Sequence, residues 1–276
     1  MITLIPVGGL ANRMRTITSA LTLARNCDSP LRIVWFKDRG LNCRFDQLFR
    51  QPVTFPNVEV IEAGHMDIIR YDRPRRRNIR IPRLIQKLLF DSCIYEDEVI
   101  QKRDNGFDFE SWVKSRKNVY IASCICFVPY SHRLLREFFL PVASIQNKVD
   151  GIVRHFDAHT IGVHIRRTDN IHSIHLSPLS LFIERIQQEI QTDGQTKFYL
   201  ASDSPEDKNT LAERFGDRIY THHFSAERNR PEGIQDALAE LLVLSRTHQI
   251  IGSCWSSFSE IAAQLTDIPC IILKKN

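Results

Sequence analysis

Three short stretches gather residue types that handle anions. The first is Gly162-Val-His-Ile-Arg-Arg-Thr-Asp169. Alternation along a strand puts His164 and Arg166 on one face and Val163 and Ile165 on the other. Arg167 then points away from Arg166. An arginine fork matches phosphate geometry and stays charged at any working pH. The second stretch is Tyr199-Leu-Ala-Ser-Asp-Ser204, where the carboxylate of Asp203 can accept hydrogen bonds from a ribose or a base. It can equally serve, with Ser204, as a helix cap. The third is Ile251-Gly-Ser-Cys-Trp-Ser-Ser-Phe-Ser259. Ser253, Ser256 and Ser257 lie where a strand would close and a helix begin, and free N–H groups at such a start cradle an anion.

These groups meet only if each stretch ends a strand of one sheet. The surrounding pattern supplies that. Apolar runs at Thr160–Ile165, Lys197–Ala201, Arg218–Tyr220, Gln249–Gly252 and Pro269–Leu273 read as strands. Helical stripes separate them: Leu181, Phe182, Ile186 and Ile190 after Pro178, and Ile234, Leu238, Leu241 and Leu242 after Pro231. Ser204-Pro205-Glu206-Asp207 is a helix start with its cap, proline and acids in order. Strands alternating with helices at this spacing give βαβ units and a parallel sheet, whose ligands bind at the carboxyl ends of the strands.

The first half repeats the theme less regularly. Ile2–Val7 is a buried strand closed by Gly8-Gly9, and Leu10, Met14, Ile17, Leu21 and Ala24 form the stripe of a following helix. Leu31–Phe36, Val58–Ile61 and a long run at Asn118–Val128 are further strands. Leu84, Leu88 and Leu89 suit one helix and Phe107–Lys114 another. Residues 1–150 carry 24 Lys and Arg against 16 Asp and Glu, net +8; the remaining residues carry 13 against 16, net −3. Two α/β domains, 1–150 and 151–276, with different ligands follow from this asymmetry.

Composition narrows the class. Of the 276 residues, 43% are hydrophobic and 25% charged, which excludes a wholly disordered chain. No apolar run approaches the roughly 18 residues of a membrane span. The start lacks the basic and apolar regions of a signal peptide, so a cytoplasmic protein is expected. Seven cysteines, an odd number, sit mostly in apolar company and read as buried thiols of a reducing compartment.

The three stretches also carry a family resemblance. His164-Ile-Arg-Arg-Thr-Asp169 resembles the HxRRxD motif of the fucosyltransferase superfamily, which holds the α1,2-, α1,6- and protein O-fucosyltransferases. Phe198–Asp203 and Ala237–Ser259 are similar to its second and third motifs, and Gly8-Gly-Leu-Ala-Asn-Arg-Met-Arg15 to its glycine-rich loop. Residues of about 40–155 match nothing. The resemblance implies an α/β enzyme of GT-B type, with two Rossmann-like domains whose parallel sheets face across a cleft. The first domain would take the acceptor and the second the donor. The activity implied is that of an inverting hexosyltransferase moving L-fucose from GDP-β-L-fucose to a glycan of a surface polysaccharide or oligosaccharide, an acceptor that could be lipid-linked. Arg166 would hold the β-phosphate, His164 would lie by the nucleotide, and Ser256 and Ser257 would close on the diphosphate. Glu240 would face guanine, accepting from N1–H and N2–H. Asn12 and Arg15 would approach from the first domain. Asp203 and Ser253 complete the donor set.

Cleavage of the sugar–diphosphate bond needs a metal or fixed cations on the leaving group. The chain contains no Asp-x-Asp and no clear His or Cys ligand spacing, so a metal-independent enzyme using Arg166 is expected, with no metal site and no cofactor beyond the nucleotide-sugar. In the α1,6 branch Lys follows the motif and Glu comes shortly after; here Asn170 and Ile174 stand there. The acceptor-activating base is therefore open among Asp169, His172 and His175, or is absent from an SN1-like path. Asp169 also suits a structural pairing with Arg167. Arg166 and Glu240 favour guanine but leave the sugar open, so a different nucleotide-sugar is a second reading. Arg70, Arg73, Arg75, Arg76, Arg77, Arg80 and Arg83 crowd one stretch. They suit a solvated loop balanced by Asp67 and Asp72, or contact with the inner face of a membrane. A non-catalytic anion- or nucleic-acid-binding protein led by residues 70–83 is the third reading. Nucleic acid is not expected, since Tyr71 is the only aromatic there for stacking.

Overall fold

Strand β1, Ile2–Pro6, is buried along its whole length. A strand apolar at successive positions needs cover on both faces, and helices flanking a parallel sheet give it. In the computed structural model, which describes residues 1–167, 170–222, 224 and 227–275, β1 is the centre of such a sheet. It pairs in parallel with β2, Leu31–Trp35, on one side and with β5, Val119–Ser123, on the other. Beyond these lie β3, Val58–Glu62, and β4, Ser92–Ile94, giving the order β3-β2-β1-β5-β4. Ile5, Val7, Val34, Phe36, Tyr120 and Ala122 pack into one core cluster.

The chain turns from β1 into the helix Leu10–Asn26 through Gly8, whose φ of 86° is open to glycine at little cost. Arg13, on that helix, is fully buried. Its Nε donates to the Gly8 carbonyl at 2.9 Å and Nη1 to the Phe36 carbonyl at 2.5 Å. Nη2 pairs with Asp38 at 3.1 Å, and the guanidinium lies 4.7 Å from the Trp35 ring centroid. Burial lowers its pKa to about 10, still charged in use. Arg13 thus locks the loop after β1 to the end of β2. Arg13→Met is expected to cost about 3 kcal/mol in urea denaturation, the lower end for breaking a buried pair, because Asp38 keeps the Gly40 and Leu41 N–H groups.

The long strand expected over Asn118–Val128 stops at Ser123. The helix Leu10–Asn26 captures the rest. Ser19 Oγ accepts from the N–H groups of Phe127 and Val128, and Thr16 Oγ1 and Arg15 Nε donate to the carbonyls of Ile125 and Cys124. Side chains replace the ladder that the β-branched residues would otherwise have joined. The helix near Phe107 begins at Phe109, where Asp108 caps the Ser111 N–H.

The second sheet contains β6, Thr160–Ile165; β7, Lys197–Ser202; β8, Ile219–Thr221; β9, Ile250–Ser253; and β10, Cys270–Leu273. All pairings are parallel and the order is β10-β9-β6-β7-β8. Each strand lies within a residue or so of its expected place. Helices Leu179–Thr192, Pro205–Phe215, Pro231–Leu244 and Ser257–Gln264 separate them. Ser204 caps the second of these by accepting from Asp207 N–H. Gly162 is required: a Cβ there would stand 2.8 Å from Thr247 Oγ1.

The chain divides into two compact units, Met1–Val142 with Arg228–Pro231, and Ala143–Glu227 with Glu232–Asn276. The helix Ala143–Val153, which a boundary after residue 150 would cut, belongs to the second unit. Arg228 and Asn229 join the first because their carbonyls accept from Asn42. Among the described residues no helix is long and apolar enough to cross a membrane.

Candidate anion site at the strand ends of the second unit

In the second sheet, β6 is followed by β7 on one side, while its other neighbour, β9, comes much later in the chain. The strand order reverses between β6 and β9, and a ligand crevice opens at the carboxyl ends of strands at such a point. Arg166 is the first residue after β6 and Ser253 the last of β9. Ser253 Oγ accepts from the Arg166 N–H at 3.0 Å and donates to the His164 carbonyl at 3.4 Å. Expected as a donor contact, Ser253 thus ties the two strand ends together and fixes where Arg166 leaves the sheet.

Asp203, at the end of β7, holds the arginine from the other side. Its Oδ2 pairs with Arg166 Nη1 at 2.8 Å and its Oδ1 accepts from the Arg167 N–H at 2.7 Å. Both oxygens face protein donors, so Asp203 orients the guanidinium where a ribose or base contact was expected. The Arg166 side chain is 19% exposed, enough for a ligand to reach it. Arg167 points the other way, as alternation predicts: its Nε pairs with Asp207 at 2.6 Å and its Nη1 donates to the Ser177 carbonyl at 2.8 Å. Asp169, the expected partner of Arg167, lies outside the described residues.

His164 is buried beneath this cluster. Its Nδ1 lies 2.8 Å from Ser259 Oγ, and its ring stacks on Phe258 at 4.7 Å. Burial and the neighbouring Arg166 charge push its pKa down to about 3, so it is neutral at any working pH. Gly252 makes this packing possible, since a Cβ there would fall 2.4 Å from Ser259 Oγ.

Ser256 is the N-cap of the helix Ser257–Gln264 and is buried, yet makes no side-chain capping bond. Ser257 is the first residue of that helix. Before them, Trp255 has φ 59°, a left-handed conformation unusual for a bulky residue, and is 70% exposed. Asn170 Nδ2 donates to the Trp255 carbonyl at 2.9 Å, while Asn170 Oδ1 caps the helix Ile171–Leu176 at Ser173 N–H. His172, on that helix, sets its ring 5.9 Å from the Trp255 ring. His172 is exposed.

Glu240, on the helix Pro231–Leu244, forms a second group. Its Oε1 lies 3.5 Å from Lys208 Nζ, long for a hydrogen bond, and has no hydrogen-bond partner among the described residues. Lys208 Nζ donates instead to the His222 carbonyl at 2.9 Å. Burial raises the Glu240 carboxyl to about 7, against the pull of Lys208. The buried Tyr199 hydroxyl is also unpartnered among the described residues and is held protonated by burial and by Glu240's charge. Asp203's charge reaches Glu240, which places both groups in one electrostatic neighbourhood.

The sequence reading missed Lys208, Tyr199, Trp255, Phe258 and Ser259. Lys208 looks like a solvated helix residue in Pro205-Glu-Asp-Lys208, and only tertiary packing buries it. Trp255 carried a signal, an aromatic between a strand end and serines. Asn12 and Arg15 stand in the first unit at that unit's own reversal point, between β1 and β5; Arg15 Nε donates to the Cys124 carbonyl just past β5. Among the described residues no three His, Cys, Asp or Glu side chains gather as a metal-binding group.

No family model and no curated protein sequence matches this chain. Solved structures do. NodZ α-1,6-fucosyltransferase soaked with GDP-fucose, from a protein of Bradyrhizobium, is 18% identical; the match covers 96% of this chain and 92% of that one, with a TM-score of 0.66. A mutant FUT1 of Arabidopsis thaliana in complex with GDP is 17% identical over 98% of this chain and 70% of that one, TM-score 0.66. POFUT1 in complex with GDP-fucose is 13% identical over 99% and 97%, TM-score 0.58. The chain therefore has the fold of these fucosyltransferase structures, the α/β GT-B type with two parallel five-stranded sheets.

Proposed function

We propose that this chain is a glycosyltransferase of the fucosyltransferase type that takes L-fucose from GDP-fucose and transfers it, with inversion and without a metal ion, to a glycan acceptor. The observation that carries the reading is Arg166, fixed by Asp203 and Ser253 at the reversal point of the second sheet. The fold neighbours include NodZ soaked with GDP-fucose and POFUT1 in complex with it, which supports the same donor here.

The chemistry follows from charge. As the bond from the fucose C1 to the β-phosphate oxygen breaks, the electron pair stays on GDP. Arg166 and the start of the helix Ser257–Gln264 stabilise that growing charge, with Ser256 and Ser257 beside it. The acceptor hydroxyl oxygen bonds to C1 from the opposite face and its proton passes to a base. His172 is the base in this proposal, and Asp169 its alternative; the exposed Trp255 ring beside His172 offers a face for a sugar to stack on. Glu240 Oε1 and the Tyr199 hydroxyl, buried atoms that lack a hydrogen-bond partner among the described residues, receive guanine. Neutral His164 packs beneath the nucleotide. Cytoplasmic placement and a surface polysaccharide or oligosaccharide as acceptor complete the reading.

A thermal-shift panel tests it. Saturation at about 100 Kd stabilises by roughly 2.7 kcal/mol, so GDP in the presence of EDTA is expected to raise Tm by several degrees. UDP and ADP should do little. A shift given equally by UDP, or one given only by nucleic acid and lost steeply with salt, would overturn the donor assignment.

A further inference from the structure

We propose that the helix Arg80–Leu89 and the arginines beside it dock the protein on the surface of an anionic lipid bilayer. Ile81, Leu84 and Leu88 recur at three- and four-residue steps and form one stripe, 58%, 63% and 87% exposed. The opposite side of the same helix is the buried one, through Pro82 and Gln86, and Gln86 Nε2 donates to the Asp72 carbonyl at 2.7 Å. The helix is therefore pinned to its unit by its inner face, with three aliphatic side chains facing outward. The adjoining helix His65–Tyr71 adds exposed Met66, Ile68 and Ile69. Scattered exposed aliphatics need no explanation, but a contiguous stripe does.

Charge identifies the occupant. Arg75 pairs with Asp72 at 2.9 Å and Arg73 with Glu96 at 3.1 Å. Arg83 reaches only 3.9 Å from Asp97, and Asp67 is occupied with the Gly64 N–H. Arg70, Arg76, Arg77 and Arg80 are exposed and have no acid within ion-pair distance among the described residues. The local acids therefore balance only part of this segment. Arg80, Lys87 and Arg83 flank the stripe along one edge of the helix, as its 100° step per residue requires. Exposed aliphatics edged by permanent cations suit the boundary between acyl chains and phosphate headgroups. Nucleic acid would use the cations but give the aliphatics no function. The inference does not depend on the donor reading, and its test contains no nucleotide.

The full-length protein is sedimented with vesicles of phosphatidylcholine alone or with about a third phosphatidylglycerol. Binding is expected only with the anionic lipid and should weaken as salt rises. Arg76→Gln, Arg77→Gln and Arg80→Gln together should lower the partition coefficient about a hundredfold, at about fivefold per arginine. Leu84→Ser with Leu88→Ser should lower it on the order of tenfold per residue, even with every arginine present. Both residues are exposed, so an unchanged Tm separates this loss from misfolding. No sedimentation with anionic vesicles overturns the proposal. So does binding that the serine pair leaves unchanged, or a wild-type chain that self-associates through this face, shown by a serine pair that restores the monomer.

Discussion

Arg166→Ala is expected to lower the rate of fucose transfer from GDP-fucose on the order of a hundred- to a thousandfold, and EDTA is expected to leave the wild-type rate unchanged. The size comes from the general loss on removing one preorganised group that stabilises transition-state charge, about 2.7–4 kcal/mol. Preorganisation is visible here. The guanidinium is pinned by Asp203 at 2.8 Å, the backbone N–H by Ser253 at 3.0 Å, and neither bond has to form during reaction. In the proposed reaction the departing diphosphate would thus meet a cation already in place. Arg166→Lys keeps the charge but not the fork, so it should recover only part of the loss. Asp203→Asn should act more mildly on kcat, because it loosens the arginine without removing it. Circular dichroism and Tm check that each variant folds. A rate within about tenfold of wild type in Arg166→Ala, or a wild type silenced by chelator, sinks the idea that this arginine stands in for a metal ion.

The parts of this site that depend on chain order were legible in the sequence. β6 could be read because its apolar run ends abruptly in two arginines, and alternation then separated Arg166 from Arg167 correctly. The cap at Ser204, the helix at Pro231 and the serines before Phe258 announce themselves by local chemistry. What could not be read depends on partners far along the chain. Asp203 looked like a ligand contact because nothing in Ser202-Asp203-Ser204 says that Arg166, 37 residues earlier, will occupy it. Ser253 looked like part of an anion cradle, yet its hydroxyl serves the backbone of β6. Lys208 and Arg13 are charges that a sequence assigns to solvent and the fold buries. The strand expected through Val128 failed for the same reason: side chains of the helix Leu10–Asn26 compete for its backbone groups. Asn170, a departure from the α1,6 pattern, turns out to bridge a helix cap and the strained Trp255. Local pattern specifies elements and strand ends; the hydrogen-bond partners at those ends come from sheet order.

The second large effect expected from the proposed guanine site is a pH dependence of donor affinity that belongs to Glu240. Its carboxyl sits near 7 in the unliganded protein, raised from the ordinary value by burial. Guanine presents two N–H donors, N1–H and N2–H, and only the carboxylate accepts both; a protonated acid brings a donor of its own. Binding must therefore proceed through the ionised form. Below pH 7 that form is the minor one, and the affinity for GDP-fucose should fall by up to tenfold per pH unit. From pH 8 to pH 6 the loss is about tenfold, and by pH 5 on the order of a hundredfold. GDP-fucose is the better probe than GDP, whose terminal phosphate titrates near 6 by itself. The unliganded protein should respond in the opposite direction. A carboxyl raised in the folded state binds its proton more tightly than in the unfolded chain, so this site adds stability as pH falls from 7 towards the ordinary glutamate range. Acidification then raises the Tm contribution of the empty site while shrinking the ligand-induced shift. Glu240→Gln should bind GDP-fucose about ten- to a hundredfold more weakly at pH 8, the worth of hydrogen bonds to a charged acceptor, with an affinity flat across this range. Titration calorimetry at pH 5, 6, 7 and 8 measures both curves. A wild-type profile as flat as that of the glutamine variant, or a variant that keeps the wild-type slope, would remove Glu240 from the guanine site.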